Sequence, residues 1–584
     1  MKKAIFTSFL LISVVALFQF CRSDNKSAQL TGNKTYIRLS GEPEKLNPLT
    51  TEEGNALQIM PYLFPTLLDF DPQTLELIPV LAKSRPIIAT IDTGKMKGGT
   101  SYTYEIREEA MWDNGTPVTA ADYIFTIKAI LHPKSGANNL RSGLDFIKDI
   151  VVDTTNPKKF TILSDKKYFL AESKSATISV LPAYAYDTEG LLKAFSVADM
   201  TKLDTGKLAP ALTQFANNIQ APKFSREKGG IVGCSAYSFE EWKTGERIVL
   251  KKKANWWGEK LASQSPYFVA LPDELHFRPV KEEAAALSLL KSGQFDAMTK
   301  VLPKDYLEMS KNDTFKSIYN FATAPSYSLA YIALNCKNPK LNDKRTRRAI
   351  AELVDVPTII TKMMRGLAEP CAGPFVPQRA YYNKDLKPLE LNIEHAKTLL
   401  AAAGWKNTNG DSTIDKSIGG KTTELTLRFV FGSNNSVAKN IGLMIQENAA
   451  KAGVKIELVP IDPSAMPLIM KQRDYDMMVN NPGFSAELDD PKEMWATSSN
   501  TPDGSNRSQF ENKAADVLIE QIRSEYDESK RNELYKKFQA LIYDEQPAIF
   551  LFSAKERLAL NKRFDVPISA NPRRLYWLGQ FKLK

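Results

Sequence analysis

Three carboxylates stand close together in the last quarter of this 584-residue sequence: Glu487, Asp489 and Asp490. Carboxylates at this spacing can act as a general acid and base or bind an ammonium group. A short apolar run, residues 474–479, precedes them and an Asn-Pro-Gly turn ends it. An apolar strand with acids just beyond its carboxyl end is typical of ligand sites in open α/β sheets. The alternative is an acidic helix start or a solvated loop.

Little else in the sequence can do chemistry. The histidines, His132, His276 and His395, lie too far apart for a helical pair of metal ligands. A GxSxG nucleophile elbow is absent from the sequence. We therefore predict no catalytic residue, no metal ligand and no cofactor. An exported hydrolase that uses two of the three carboxylates stays open as an alternative.

The first residues have the pattern of an export signal. Two lysines precede an apolar run over residues 4–20, and Cys21 and a polar stretch follow. The run is too short for a typical membrane-spanning helix. A cysteine at this junction predicts a lipoprotein, with Cys21 acylated as the mature N-terminus. Phe20 stands where small residues are usual, so an uncleaved anchor is the alternative.

Composition indicates a soluble, exported body with more than one core. Hydrophobic residues make up 43% and charged residues 25%, and the length predicts two or more lobes. The 77 basic and 67 acidic residues are interleaved, which does not indicate a nucleic-acid partner. Beyond Cys21 three cysteines remain, so we expect no disulfide framework and at most one bridge.

The predicted elements alternate between strands and helices. Strands are predicted over residues 35–40 and 101–107, and helices over 56–68 and 123–131, the latter capped by Thr119 and Asp122. Later predictions are helices at 281–290, 441–452, 463–471, 512–526 and 529–543, and strands from 294, at 454–459, from 474 and at 548–552. The last strand is expected to pair with the first lobe. This alternation favours two α/β lobes with a ligand between them.

The most distinctive stretches of the sequence are, in order, EPEKLNP at 42–48, YTYEIREEAMWDNGTPVTAAD at 102–122, GCSAYSFEEWKTGERIVLKKKANWWG at 233–258, DKRTRRAIAELVD at 343–355 and AKTLLAAAGW at 396–405. Together and in this order they resemble the extracellular solute-binding proteins, family 5, of ABC transporters. The resemblance extends from about residue 39 to 564.

The resemblance implies an α/β fold of the type II periplasmic-binding-protein class, with two lobes around a ligand cleft and an extra inserted domain. The implied division is a signal segment with its lipoprotein cysteine at 1–21, the first lobe at 30–69, the inserted domain at 70–185, the first lobe again at 186–325, the second lobe at 326–547 and the end of the first lobe at 548–584.

The resemblance also implies a ligand site. In peptide-binding members an Asp in a G-W-x-A-D motif holds the peptide's α-ammonium. The segment GFSAE at 483–487 is similar to it, so that Glu487 matches the ammonium anchor and Phe484 matches the tryptophan. The residues expected to bind ligand are Glu487, Phe484, Ser485, Ala486, Tyr237 and Asp489.

The function that the resemblance implies is transport without catalysis. A lipid-anchored monomer in the periplasmic space or at the cell surface would capture peptides and deliver them to an ABC permease with its ATPase. The alternatives are another solute, such as a sugar or a metal chelate, or an adhesin or chaperone-like module on the same scaffold. Nickel is disfavoured by the small number of histidines.

Overall fold

The computed structural model describes residues 30–51, 53–204 and 206–584. The predicted signal segment and the predicted lipidation site, Cys21, lie outside these residues. Within these ranges, every helix is too short or too polar to cross a membrane. Cys234, Cys336 and Cys371 are all free thiols.

The described part of the chain before residue 326 contains short helices and three groups of strands. Its strands are β1 (Lys34–Leu39), β2 (Leu68–Phe70), β3 (Leu77–Pro79), β4 (Ile87–Thr90), β5 (Thr100–Glu105), β6 (Ile147–Val152), β7 (Lys159–Ser164), β8 (Tyr237–Lys243), β9 (Arg247–Lys252), β10 (Glu274–Pro279), β11 (Ala297–Met298) and β12 (Tyr319–Pro325). Its α-helices are α1 (Gly54–Leu57), α2 (Ala120–Leu131), α3 (Asn138–Gly143), α4 (Ala171–Ala176), α5 (Ala183–Tyr186), α6 (Val197–Met200), α7 (Pro210–Ile219), α8 (Lys223–Arg226), α9 (Glu283–Lys291), α10 (Pro303–Met309) and α11 (Asp313–Ile318).

The part of the chain after residue 325 has longer helices. Its strands are β13 (Ala330–Leu334), β14 (Ala368–Pro370), β15 (Asp415–Ile418), β16 (Lys421–Glu424), β17 (Thr426–Gly432), β18 (Lys455–Ile461), β19 (Met477–Asn480), β20 (Ala548–Asn561), β21 (Phe564–Asp565) and β22 (Lys582–Leu583). Its α-helices are α12 (Lys344–Ala351), α13 (Val356–Thr358), α14 (Ile393–Ala402), α15 (Ser436–Lys451), α16 (Met466–Gln472), α17 (Lys492–Trp495), α18 (Lys513–Ser524) and α19 (Glu528–Glu545).

One large mixed sheet connects the two lobes. Its strand order is β18-β17-β19-β13-β20-β11-β1-β10-β9-β8, and β12 and β14 also pair with β20. Parallel pairs occur on both sides of β20, between β17 and β18 and between β1 and β10. A separate antiparallel sheet, β4-β5-β7-β6, belongs to the predicted inserted domain. The structure thus confirms the α/β class that the helix–strand alternation predicts.

The strand β20 belongs to both halves of the large sheet. Its residues 548–552 pair with β13, and its residues 555–561 pair with β12. The prediction that residues 548–552 return to the first lobe is therefore wrong, because their partner strand comes from the second. The return occurs further along the same strand. The division of the whole chain into lobes stays a prediction.

The buried apolar residues form several separate clusters. One cluster contains Ile37 of β1 together with Tyr104 and Phe160 of the four-stranded sheet, so the first lobe and the insertion share a core. In β13 alternate residues face opposite sides: Ile332 packs with α12, α14 and α15, whereas Tyr331 packs with α18 and α19. This alternation is expected for a strand that is covered on both faces.

Local sequence signals account for several elements. The predicted capping box is confirmed: the Asp122 carboxylate accepts a hydrogen bond from the Thr119 backbone N–H, at the start of α2. By contrast, the helix predicted over residues 56–68 is wrong. The structure has only the four-residue helix α1 and a 3-10 turn, Met60–Tyr62. Pro61 and Pro65 each remove a backbone donor from this stretch, which prevents a continuous α-helix.

Candidate functional site

The loop after β19 carries the three acidic residues. Its backbone is fixed against the segment that precedes β13: the Leu329 N–H donates to the Pro482 carbonyl oxygen at 3.0 Å, and the Phe484 N–H donates to that of Tyr327 at 2.8 Å. Because β19 and β13 are neighbouring strands, the loop leaves the sheet at the carboxyl end of β19. This is the position that the apolar run and the following acids predict.

This loop lines a cavity of about 480 Å³. The cavity also receives side chains from the predicted inserted domain and from the C-terminal segment, so three distant parts of the chain meet there. The residues that line it are Leu170, Lys174, Tyr331, Met470, Asn480, Asn481, Pro482, Gly483, Phe484, Ser485, Glu487, Leu488, Asp489, Asp490, Glu493, Met494, Ser505, Arg507 and Arg573.

Glu487 reaches across this cavity to helix α4. Its Oε1 accepts a hydrogen bond from the Ser173 hydroxyl at 2.6 Å, and its Oε2 lies 2.8 Å from Lys174 Nζ. The Glu487 side chain is 14% exposed and that of Lys174 is 31% exposed. Burial lowers the pKa of Lys174, but the neighbouring Glu487 carboxylate outweighs it and the pKa is raised overall. Lys174 is therefore an ammonium group bound to Glu487.

Asp489 has a different environment from Glu487, although it is two residues away. Arg379 binds its carboxylate with Nε at 3.0 Å and Nη2 at 2.7 Å. The Tyr381 hydroxyl donates to the same carboxylate at 2.7 Å. Burial, together with the Asp489 charge, raises the pKa of Tyr381 well above its ordinary value, so the hydroxyl stays protonated and can donate. This geometry favours a role for Asp489 in holding the loop rather than in contacting ligand.

Asp490 connects the loop to both the insertion and helix α18. Its Oδ2 accepts hydrogen bonds from the Tyr168 hydroxyl at 3.1 Å and from Arg523 Nε at 3.0 Å. Each of the three acids is thus paired with its own cation: Glu487 with Lys174, Asp489 with Arg379 and Asp490 with Arg523. The arrangement is three ion pairs rather than a pair of carboxyl groups facing a common substrate.

The remaining expected ligand residues are divided between two places. Phe484 and Ser485 line the same cavity as Glu487. Ala486 is buried, and its carbonyl oxygen accepts from Arg379 Nη1 at 3.4 Å. Tyr237 lies elsewhere, in a second cavity of about 140 Å³ in the first lobe, where its hydroxyl donates to the Pro272 carbonyl at 2.9 Å.

The second cavity is aromatic. Trp256 and Trp257 both line it, and both indole N–H groups donate to the Cys234 carbonyl oxygen, at 2.8 and 2.9 Å. These hydrogen bonds give the tryptophan pair a structural role in anchoring the segment that precedes β8. The Trp577 indole N–H, also at this cavity, has no hydrogen-bond partner among the described residues.

Sequence reasoning did not identify several residues that build the first cavity. Ser173 and Lys174 lie in a stretch without clear periodicity, and Arg379 lies in a loop between helices. Arg573 comes from the C-terminal segment, is exposed, and has no ion-pair partner among the described residues. A single sequence contains no local signal that would bring these residues near Glu487, because Arg573 lies 86 residues from it along the chain and the others lie more than one hundred residues away.

Metal ligation has little support in this geometry. Among the described residues no group of three or more His, Cys, Asp and Glu side chains could hold a metal ion. His276 stacks on Tyr36 with ring centroids 4.8 Å apart, and His395 Nδ1 lies 2.6 Å from Glu352. The histidines are thus absent from the lining of the cavity that contains Glu487.

Two lobes that share strand β20, with a cavity lined by the predicted second lobe, the predicted insertion and the C-terminal segment, have the arrangement of a periplasmic-binding-protein fold. The model of the bacterial extracellular solute-binding proteins, family 5, matches residues 76–506. This match covers more than half of the chain, and the chain belongs to this family.

Curated relatives match over most of their length. The oligopeptide-binding protein AppA of Bacillus subtilis (strain 168) is 25% identical over 570 residues, which cover 95% of this chain and 94% of AppA. The dipeptide-binding protein of Escherichia coli (strain K12) is 23% identical over 539 residues, which cover 89% of each chain.

Solved structures share the fold. The structure of AppA from Bacillus subtilis in complex with a nonapeptide has a TM-score of 0.70 at 24% identity and covers 95% of this chain and 99% of AppA. The structure of NikA from Brucella suis in complex with Fe(III)-EDTA has a TM-score of 0.73 at 19% identity and covers 94% of this chain and all of NikA. These likenesses support the fold, and they include proteins with different ligands.

Proposed function

We propose that this protein is the lipid-anchored, extracytoplasmic solute-binding protein of an ABC importer, that it captures peptides between its lobes and that it delivers them to the permease. The observation that carries the proposal is the position of Glu487, a carboxylate in the cavity between the second lobe and helix α4. Such a group can bind a peptide's α-ammonium through a charge-assisted hydrogen bond worth ~1.5–3 kcal/mol.

The relatives support a peptide rather than another solute. The names of AppA and of the Escherichia coli relative specify oligopeptides and dipeptides, and these proteins match this chain along almost its whole length. A metal chelate or haem is the second candidate, because other relatives include a heme-binding protein of Haemophilus influenzae and NikA with Fe(III)-EDTA. The lack of histidines around the cavity disfavours direct metal ligation.

The proposed mechanism is closure of the lobes on the ligand. Ligand that contacts both sides favours the closed conformation, which the permease would recognise. β20 and β12 connect the lobes and are the strands about which closure would occur.

Lipidation of Cys21 would keep the protein at the membrane beside the permease, and a Cys21→Ser variant should then lose partitioning into the detergent phase.

Mass spectrometry can identify the class of ligand that the protein binds. Protein purified under native conditions is denatured, and the released small molecules are identified by mass spectrometry. In parallel, refolded protein is offered a pool of randomised peptides, and the retained peptides are identified. We expect peptides in both experiments. Retention of no peptide from the pool, with a metal chelate or sugar released from the native protein, would overturn the peptide assignment.

A further inference from the structure

The Glu487 carboxylate already has two partners within the protein. Both of its carboxylate oxygens are occupied by helix α4, Oε1 by the Ser173 hydroxyl at 2.6 Å and Oε2 by Lys174 Nζ at 2.8 Å. A primary ammonium on a flexible four-carbon stem therefore stands where a peptide's ammonium would bind. The two groups have the same charge and the same hydrogen-bonding capacity.

The carboxylates around this pair keep Lys174 in its charged form. Besides Glu487, the carboxylates of Glu493 and Asp490 also raise the pKa of Lys174. Two ammonium groups side by side would repel each other in a partly buried site. A ligand ammonium that approaches Glu487 therefore competes with Lys174 for the same carboxylate.

Lys174 can leave without disturbing a core. Its side chain is 31% exposed, and its helix, α4, belongs to the predicted inserted domain, whereas Glu487 belongs to the second lobe. A partly exposed lysine can move its head group into water while its stem stays packed. The loop that carries Glu487 would stay in place, because Arg379 holds its carbonyl oxygens.

We propose that Lys174 is a specificity-determining residue that competes with the ligand's ammonium for Glu487. Its Nζ lies in the position proposed for the ligand's ammonium, and a bound peptide takes that position by displacing it. Lys174 thereby lowers the affinity for every ligand with a free amine, and only ligands whose other contacts compensate for the displacement bind well. This inference rests on the proposed peptide-binding function.

The experiment measures how strongly each protein prefers free-amine peptides over N-acetylated ones. An equimolar pool of randomised tetrapeptides, half with free amines and half N-acetylated, is incubated with the wild-type protein and with the variants Lys174→Met, Lys174→Gln, Lys174→Arg and Glu487→Gln. The retained peptides are quantified by mass spectrometry, and the ratio of free-amine to acetylated peptide is compared among proteins. Thermal unfolding checks that each variant is folded.

We expect the two neutral variants to raise this ratio about 10- to 100-fold, the factor that one charge-assisted hydrogen bond contributes to an equilibrium. Lys174→Arg keeps the charge and should leave the ratio close to the wild-type value. Glu487→Gln should lower it. Adding Glu487→Gln to Lys174→Met should remove the gain, because the two side chains act on one position.

The outcomes separate this inference from the proposed function. If peptides are retained but Lys174→Met and Lys174→Gln leave the ratio unchanged or lower it, the competition is disproved and peptide binding stands. If no protein retains either class of peptide, the proposed peptide function fails and this inference fails with it.

Discussion

The Arg379 guanidinium holds the Asp489 carboxylate through two nitrogens, at 3.0 and 2.7 Å, although the two residues are 110 positions apart in the chain. Both side chains are about 5% exposed. The same guanidinium donates to the carbonyl oxygens of Ser485 and Glu487, at 2.9 and 2.7 Å. One buried arginine thus sets the conformation of the loop that directs Glu487 into the cavity.

Replacement of Arg379 by Met should destabilise the protein. It leaves the Asp489 charge buried without its partner, a change that costs about 3–5 kcal/mol in comparable sites. Denaturant unfolding of the two proteins measures the loss. The matched control is Arg345→Met, which breaks an exposed pair with Asp343 and should change stability little. Equal effects of the two substitutions would contradict the role of Arg379.

Replacement of Glu487 by Gln should weaken binding of free-amine peptides while sparing N-acetylated ones. The amide keeps the shape of the side chain but removes the charge that the ammonium requires, and it leaves the Lys174 ammonium nearby to repel the ligand. Calorimetry with one peptide in its free and acetylated forms measures the difference. An equal loss of affinity for both forms would refute the role of Glu487 as an amine anchor.

Replacement of Asp490 by Asn should favour an open conformation. Asp490 accepts from Tyr168 of the predicted insertion and from Arg523 of α18, and the Tyr102 and Tyr526 hydroxyls lie 2.7 Å apart in the same contact. Loss of the Asp490 charge weakens this connection between the predicted insertion and the predicted second lobe. Small-angle scattering of the ligand-free variant should show a larger radius of gyration. An exposed control, Asp503→Asn, should leave the radius unchanged.

Replacement of Arg573 by Gln should weaken binding of ligands that carry a free carboxylate. Its exposed guanidinium lines the cavity with Glu487, whereas the acids of that loop already have cationic partners. A ligand carboxylate would be the anionic partner of the Arg573 guanidinium. The comparison is between a peptide and its C-terminally amidated form. Both forms losing affinity to the same extent would show that Arg573 does not bind the carboxylate.

Replacement of Glu556 by Gln should stabilise the protein at neutral pH. Burial raises the pKa of this carboxyl above its ordinary 4.5, although Lys300 and Arg557 partly offset the effect. Its Oε2 has no hydrogen-bond partner among the described residues. Because the folded pKa is the higher one, its stabilising contribution is present below pH 4.5 and is lost as the pH rises through the folded value.

The measurement for Glu556 is the free energy of unfolding as a function of pH. The variant should lack the decrease that Glu556 contributes above pH 4.5 in the wild-type protein. Glu308→Gln, an exposed control without an ion pair in the described part of the chain, should follow the wild-type curve. A variant curve parallel to that of the wild type would contradict the prediction.

Local patterns in the sequence determined the elements and the order in which they occur. The capping box at Thr119 and the glycine stop at 453 delimit helices by backbone hydrogen bonding and φ, which are properties of a few neighbouring residues. The apolar run before Glu487 likewise predicted an acidic loop at the end of a strand. Apolar periodicity alone predicted a helix after residue 56. Two prolines interrupt that stretch, and the helix does not form.

Only the tertiary structure decided the partners of the acidic residues. Three acids in four positions look alike in sequence, yet Glu487 meets a partly exposed lysine, Asp489 a buried arginine and Asp490 a tyrosine and an arginine. Those partners come from the predicted insertion, from the loop before α14 and from α18, all distant from the acidic loop along the chain. Side-chain charge is a property of one residue, whereas the availability of that charge to a ligand depends on long-range contacts that no local pattern encodes.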